Sequence, residues 1–191
     1  MRIIAGKFKG KRLNSPKTIK TRPTLDRVKE AVFSMVESDI EGSKVLDLFA
    51  GTGALGIEMI SRGAEFCLLN DIDKNAFKVI LSNIQLTNCT NCVKICMKDY
   101  LKCLKKIQTD NETYDIIFID PPYESQYGIK SIEYISNNKC ILSDSGVIVY
   151  ETDKSFLDEK MINYLENLEN LECIKTKLYG RVIVKLFRWR I

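Results

Sequence analysis

The most distinctive chemistry in the chain lies in Asp120-Pro121-Pro122-Tyr123, which follows the apolar run Ile116-Ile117-Phe118-Ile119. The run reads as a buried strand and puts Asp120 at its carboxyl end, where ligands sit in open α/β sheets. Pro121 disfavours helical geometry for Asp120, and both prolines fix their own φ and lack an N–H. The corner therefore offers a carboxylate, a free backbone carbonyl and an aromatic ring. That set suits the exocyclic amine of a nucleobase, a poor nucleophile because its lone pair is delocalised into the ring. Asp120 can accept one N–H and the Pro121 carbonyl the other, and both bonds strengthen as positive charge develops on nitrogen. Tyr123 can stack on the base plane, a contact worth roughly 1–3 kcal/mol. The alternative is a plain strand end followed by a Pro-Pro turn.

A second constellation supplies a partner for that chemistry. Val45-Leu46-Asp47-Leu48-Phe49-Ala50-Gly51-Thr52-Gly53-Ala54-Leu55-Gly56 reads as strand, glycine loop and helix start, and Asp71 follows about 20 residues on. Such a loop can bind a dinucleotide, a nucleoside-bearing sulfonium, or nothing. Three acids favour the sulfonium. Asp47 inside the first strand can bind an ammonium group directly or through water. Asp71 ends the second strand, placed to accept from ribose hydroxyls, and Asp99 ends the third, placed to accept an adenine amine. A pyrophosphate would prefer fewer acids, whereas S-adenosyl-L-methionine carries cationic groups. For each acid the competing role is a helix N-cap. The candidate cofactor-binding set comprises Asp47, Phe49, Ala50, Gly51, Thr52, Gly53, Asp71, Ile72, Asp99 and Tyr100.

These residues need strands and helices in strict alternation to meet. Strands are expected at 44–49, 66–70, 93–97, 114–119 and 147–150, with helices at about 55–61, 74–85, 101–107 and 127–137 between them. Upstream, Thr24 is a good N-cap for a helix to about Ser38, since Leu25, Val28, Val32, Met35 and Val36 recur at helical spacing. Downstream, a helix over 156–168 precedes two strands around Tyr179-Gly180. The fold class is α/β, a Rossmann-like, mostly parallel, doubly wound sheet with an antiparallel C-terminal edge and a small N-terminal hairpin. One domain is expected over 1–191, with 1–23 a basic hairpin and loop and 24–191 the catalytic core.

The chain has 191 residues, 45% of them apolar, enough for one full core. No apolar run approaches the roughly 20 residues of a membrane span, and the first residues show no apolar signal segment, so a cytoplasmic protein is expected. Seven cysteines without a histidine fit a reducing compartment. Cys89-x2-Cys92-x3-Cys96 lacks a fourth ligand nearby, and no metal is expected. The net charge of +4 conceals a pattern: residues 1–22 carry eight basic residues and no acid, residues 174–191 six more and no acid, and 23–173 a net of −10. Basic ends on an acidic body suggest a polyanionic partner.

With Asp-x-Phe-x-Gly-x-Gly at 47–53 and Asp-Pro-Pro-Tyr at 120–123, the chain resembles class I S-adenosylmethionine-dependent amino-methyltransferases. Arg2-Ile3-Ile4-Ala5-Gly6-Lys7-Phe8-Lys9-Gly10, Arg22-Pro23-Thr24-x2-Arg27-Val28-Lys29-Glu30-Ala31-Val32-Phe33 and Leu46 through Glu58 extend the likeness. They resemble the RsmD family, which methylates the exocyclic N2 of one guanine in small-subunit (16S) ribosomal RNA. The resemblance implies that Asp120, Pro121, Pro122 and Tyr123 form the amine site, and that Arg22, Thr24 and Arg27 border the cofactor or the RNA. Lys7, Lys9, Lys11 and Arg12 on the hairpin join Arg22 and Arg27 as candidate RNA contacts. The expected partner is small-subunit ribosomal RNA or an assembling subunit, met by a monomer. In this family the second-strand acid is often Glu; here Asp71 and Asp73 both offer themselves for the ribose. Rival readings are an N6-adenine methyltransferase, a non-catalytic RNA-binding assembly factor, and a nicotinamide oxidoreductase, the last of which leaves Asp120 to Tyr123 without a role.

Overall fold

Seven strands form one mixed sheet in the order β3-β2-β1-β4-β5-β7-β6. In the computed structural model residues 1–15, 23–122 and 126–191 are described, with the side chains of 23–27 outside the description. The strands are β1 (Lys44–Asp47), β2 (Phe66–Asn70), β3 (Val93–Cys96), β4 (Tyr114–Ile119), β5 (Leu142–Asp153), β6 (Leu171–Tyr179) and β7 (Val182–Trp189). The helices are α1 (Pro23–Met35), α2 (Ala54–Ser61), α3 (Lys74–Thr87), α4 (Tyr100–Thr109), α5 (Tyr127–Ser136) and α6 (Glu159–Glu166). β1 to β5 pair in parallel, and β7 runs antiparallel to both β5 and β6. The doubly wound sheet and its antiparallel edge follow the expectation from sequence. β5 is longer than expected because pairing with β4 starts at Leu142 and pairing with β7 runs to Asp153. The expected helix over 156–168 is shorter, since Asp158 caps α6 through its carboxylate on the Met161 N–H. The N-terminal hairpin is short: Arg2 and Arg12 bridge in antiparallel around a turn at Gly6–Phe8, and the Ile3 and Leu13 N–H groups donate to the Lys11 and Met1 carbonyls.

The strand alternation builds the core. Val45, Ile116, Phe118, Val147 and Val149 face α1, α2 and α3, whereas Leu46, Ile117, Ile119 and Ile148 face α4, α5 and α6. β4 is buried on both faces, as a central parallel strand must be. Strand order reverses between β1 and β4, so the crevice of the fold opens between the loop after β1 and the corner after β4.

Charges outside the site are largely structural. Arg188 donates to both carboxylate oxygens of Asp39 at 2.9 Å, and Arg181 meets Asp153 at 3.1 Å. Lys185 is 3% exposed, with its Nζ 3.1 Å from Thr176 Oγ1 and 3.5 Å from Glu166. Arg190 donates to the Leu168 carbonyl. Four of the six basic residues in the C-terminal run therefore tie strands and loops together, leaving Lys175 and Lys177 on β6. A bulge between Cys173 and Lys175 breaks the register of that strand.

α2 lies close on β2 because Gly56 has no side chain. A Cβ there would sit 2.4 Å from Leu69 Cδ2 and 2.5 Å from Cys67 Sγ, both on a buried strand. Gly56→Ala should therefore destabilise the protein by roughly 1–3 kcal/mol through overpacking, read as a lower urea midpoint at unchanged slope. A midpoint at or above that of the parent would show that the helix can move off the sheet without cost.

Candidate active site

The loop after β1 is shaped by its own backbone. Gly51 and Gly53 take left-handed φ values of 55° and 75°, and the Gly53 N–H closes a turn onto the Ala50 carbonyl at 2.7 Å. The Ala50 N–H donates to the Asn70 carbonyl, and the Gly51 N–H to Asp71 Oδ2 at 2.8 Å. Asp71 Oδ1 accepts from the Asp73 N–H. Asp73 is the N-cap of α3, accepting from the Asn75 N–H at 2.7 Å. The two acids thus separate: Asp71 faces the glycine loop and Asp73 caps a helix.

A cleft of about 560 Å³ runs across this end of the sheet. Phe49, Gly51, Asp71, Ile72, Asp99 and Tyr100 line one part, and Asp120, Pro121, Pro122 and Tyr127 the other. Ile72 is 68% exposed, an apolar side chain on the cleft wall rather than in the core. Three rings stand in series along the cleft: Phe49 to Tyr100 at 5.8 Å between centroids, and Tyr100 to Tyr127 at 4.9 Å. Asp99 caps α4 through Oδ1, which accepts from the Leu101 and Lys102 N–H groups. The competing role as a cap is real for this residue, and among the described residues no hydrogen bond falls on its other oxygen. Ala50, Thr52 and Gly53 lie behind the cleft wall and shape the loop. Tyr123 and Arg22 fall outside the described residues, as do the side chains of Thr24 and Arg27.

Three functional residues escaped the sequence reading. Asn70 donates its amide to the Leu48 carbonyl (3.0 Å) and the Lys98 carbonyl (3.1 Å), and accepts from the Lys98 N–H. It stitches the ends of β1, β2 and β3 together, so Asp71 and Asp99 keep a fixed separation. Glu151 follows Tyr150, which pairs with Ile119, so it stands on β5 beside Asp120. Lys29, on α1, brings positive charge to both Asp47 and Asp120. Glu151 had a signal, as an acid at a strand end; Lys29 had only its place within the Arg-Pro-Thr segment.

Asp47 is 1% exposed, and neither of its oxygens meets a hydrogen-bond donor in good geometry among the described residues. Burial pushes its carboxyl up to about 7; nearby N–H groups of Gly56 and Phe49 and the charge of Lys29 oppose the shift, and Asp71 adds to it. Asp120 is also held well above the carboxylate range, first by burial, then by Glu151 and Asp47, with Lys29 opposing. Such carboxylates suit a cationic ligand, which would supply the missing charge. The hairpin residues lie apart from this cleft. Its tip, with Lys7 and Lys9, packs at the far end of α2, where the Phe8 N–H donates to Ser61 Oγ. That end is a helix length, about 12 Å, from the glycine loop. Lys11 donates to the Leu86 carbonyl, and it and Lys7 approach the Phe8 ring.

The buried carboxylate makes a stability test. Because the folded-state value of Asp47 lies above its ordinary 3.8, the folded protein holds an extra proton between about pH 4 and 7, and stability falls as pH rises through that window. A shift of this size is worth roughly 4 kcal/mol above pH 7. Asp47→Asn should therefore melt higher than the parent at pH 8, close to it at pH 4, and lose cofactor affinity. A variant less stable than the parent at pH 8 would mean that the charge is compensated.

The chain matches the family model described as conserved hypothetical protein 95 over residues 1–188. It is 32% identical to the ribosomal RNA small subunit methyltransferase D of Haemophilus influenzae, covering 98% of this chain and 93% of that one. A protein of the same name from Buchnera aphidicola is 40% identical over 80% of this chain and 78% of its own. Among solved structures, a protein of Escherichia coli provisionally described as a methyltransferase superposes with a TM-score of 0.80 at 27% identity, covering 100% and 97% of the two chains. A more distant one, SMU.776, was solved with SAH and shares the fold at 18% identity and a TM-score of 0.71, over 87% of this chain and 50% of that one. Glycine loop, strand-end acids and acceptor corner are thus set in a chain that matches its relatives nearly end to end, and it belongs to the ribosomal RNA small subunit methyltransferase D family.

Proposed function

We propose that the protein transfers a methyl group from S-adenosyl-L-methionine to the exocyclic N2 of a guanine in small-subunit ribosomal RNA. The observation that carries this reading is the placement of Asp120 in the same cleft as Gly51 and Asp71, across the reversal of strand order. The residues present fit the cofactor. Asp71 faces the ribose position beside the glycine loop, Asp99 and Ile72 the adenine position, and the buried Asp47 suits the ammonium group. When bound, S-adenosylmethionine supplies an electrophilic methyl on a sulfonium.

The chain's own residues act on the amine. Asp120 accepts one N–H and the Pro121 carbonyl the other, which turns the nitrogen lone pair toward the methyl donor and strengthens as charge develops. No partner occupies the Asp120 side chain among the described residues, so it is available for that bond. Holding both reactants in one cleft supplies much of the acceleration. After transfer the nitrogen is acidic, and Asp120, already bonded to it and with a raised proton affinity, can take the proton. The base leaves its stack to reach the corner, with Tyr123 proposed to stack on it. Lys7, Lys9, Lys11, Arg12, Arg22 and Arg27 are proposed to contact RNA phosphates. The same corner would serve an adenine N6, so product analysis decides between them.

Ribosomal subunits lacking this modification, incubated with the protein and labelled cofactor, should yield N2-methylguanosine on digestion and mass spectrometry; N6-methyladenosine would transfer the reading to adenine. Asp120→Ala should abolish turnover while cofactor affinity falls by less than about tenfold, or ~1.4 kcal/mol. Near-parental turnover in that variant would remove Asp120 from the amine site.

A further inference from the structure

We propose that Lys102 and Lys105 on α4 and Lys130 on α5 form a phosphate-gripping surface for the RNA beside the acceptor corner, separate from the N-terminal hairpin. The inference rests on the RNA-methyltransferase reading above. The two helices converge on the cleft: α4 starts at Tyr100 and α5 at Tyr127, whose rings stack at 4.9 Å and line the cleft with Asp120. Further along, the Tyr134 hydroxyl of α5 donates to Gln108 of α4, so the pair presents one continuous surface. Tyr127, Lys130 and Tyr134 fall on one stripe of α5 by their i, i+3, i+7 spacing. Lys102 and Lys105 are exposed and one turn apart on α4. Tyr127 itself is 44% exposed, an aromatic ring among the cations and open to an unstacked base.

The placement of these lysines runs against what helix stability would favour. Lys102 sits in the first turn of α4, where the helix dipole disfavours positive charge. Lys102 and Lys106 are four residues apart on α4, so like charges neighbour one another along the helix. On this helix only Lys106 has an acid to pair with, Asp110 at 2.6 Å. Lys102, Lys105 and Lys130 have no carboxylate partner among the described residues. The C-terminal basic residues behave oppositely, since four of six are engaged in ion pairs or carbonyl contacts. Exposed cations without carboxylate partners, on the two helices whose first residues line the cleft, fit a polyanionic strand better than a solvated face. The hairpin tip packs at the far end of α2, on another part of the surface.

The test is a K102Q/K105Q/K130Q variant, with K102R/K105R/K130R as its charge-conserving partner. A small-subunit ribosomal RNA fragment and a single-stranded RNA of unrelated sequence are titrated at several salt concentrations, with S-adenosylhomocysteine affinity and melting temperature measured alongside. The glutamine variant should lose tenfold or more in affinity for both RNAs, with the slope of log K against log salt flattened by about 2 for three lost contacts. Melting temperature and S-adenosylhomocysteine affinity should hold, and the arginine variant should keep parental slope and affinity. A glutamine variant that is folded and keeps the parental slope and affinity overturns the surface while leaving the methyltransferase reading intact. Failure of the parent protein to bind either RNA or to methylate a subunit would overturn that reading as well. Loss of binding in the arginine variant to the same degree would show that shape rather than charge is at work, and would also overturn the proposal. So would parental RNA binding by the glutamine variant together with lost binding to anionic vesicles or to an acidic peptide.

Discussion

Three carboxylates meet at the reversal of strand order, and the site depends on how their charge is managed. Asp47, Asp120 and Glu151 stand on the neighbouring strand ends of β1, β4 and β5, with Lys29 the one cation bearing on both aspartates in the described structure. A low-dielectric interior does not hold such a set fully ionised without compensation. Burial holds Asp47 and Asp120 above the ordinary carboxylate range, and a cationic ligand there would add to the positive charge that Lys29 brings.

Much of the fold was legible because its signals are local. Strand β4, with its four apolar residues before Asp120, needs no tertiary information to be read, and glycines at 51 and 53 mark a backbone that must turn under a ligand. The acids at 71 and 99 were legible as strand-end residues, but sequence alone could not divide Asp71 from Asp73. That division comes from a hydrogen bond across 20 residues, Gly51 to Asp71, and from the cap that occupies Asp73. Asn70 carries no local signal in the sequence. Its role appears when three strand ends are in register, since its partners lie 22 and 28 residues away. The ends of β5 were misread for the same reason: its length is set by two neighbours of opposite direction.

Charge was the least legible property. Composition shows two basic ends around an acidic body, and a polyanion held at both ends was a fair reading. Folding redistributes those charges. Arg181, Lys185, Arg188 and Arg190 become struts of the antiparallel edge, while Lys102 and Lys105 of α4, unremarkable in a count, have no carboxylate partner among the described residues. Counting charges along a chain cannot separate these cases, because an ion pair such as Arg188 with Asp39 joins residues 149 positions apart.

The free rim of β6 has a consequence of another kind. An open sheet with an unpaired outer strand offers its row of N–H and C=O groups to a second copy. Here the register break between Cys173 and Lys175 interrupts the row of N–H and C=O groups, and Lys175 and Lys177 place two like charges where an identical strand would have to lie. A broken hydrogen-bonding row and two exposed cations are features that disfavour edge-to-edge pairing of sheets.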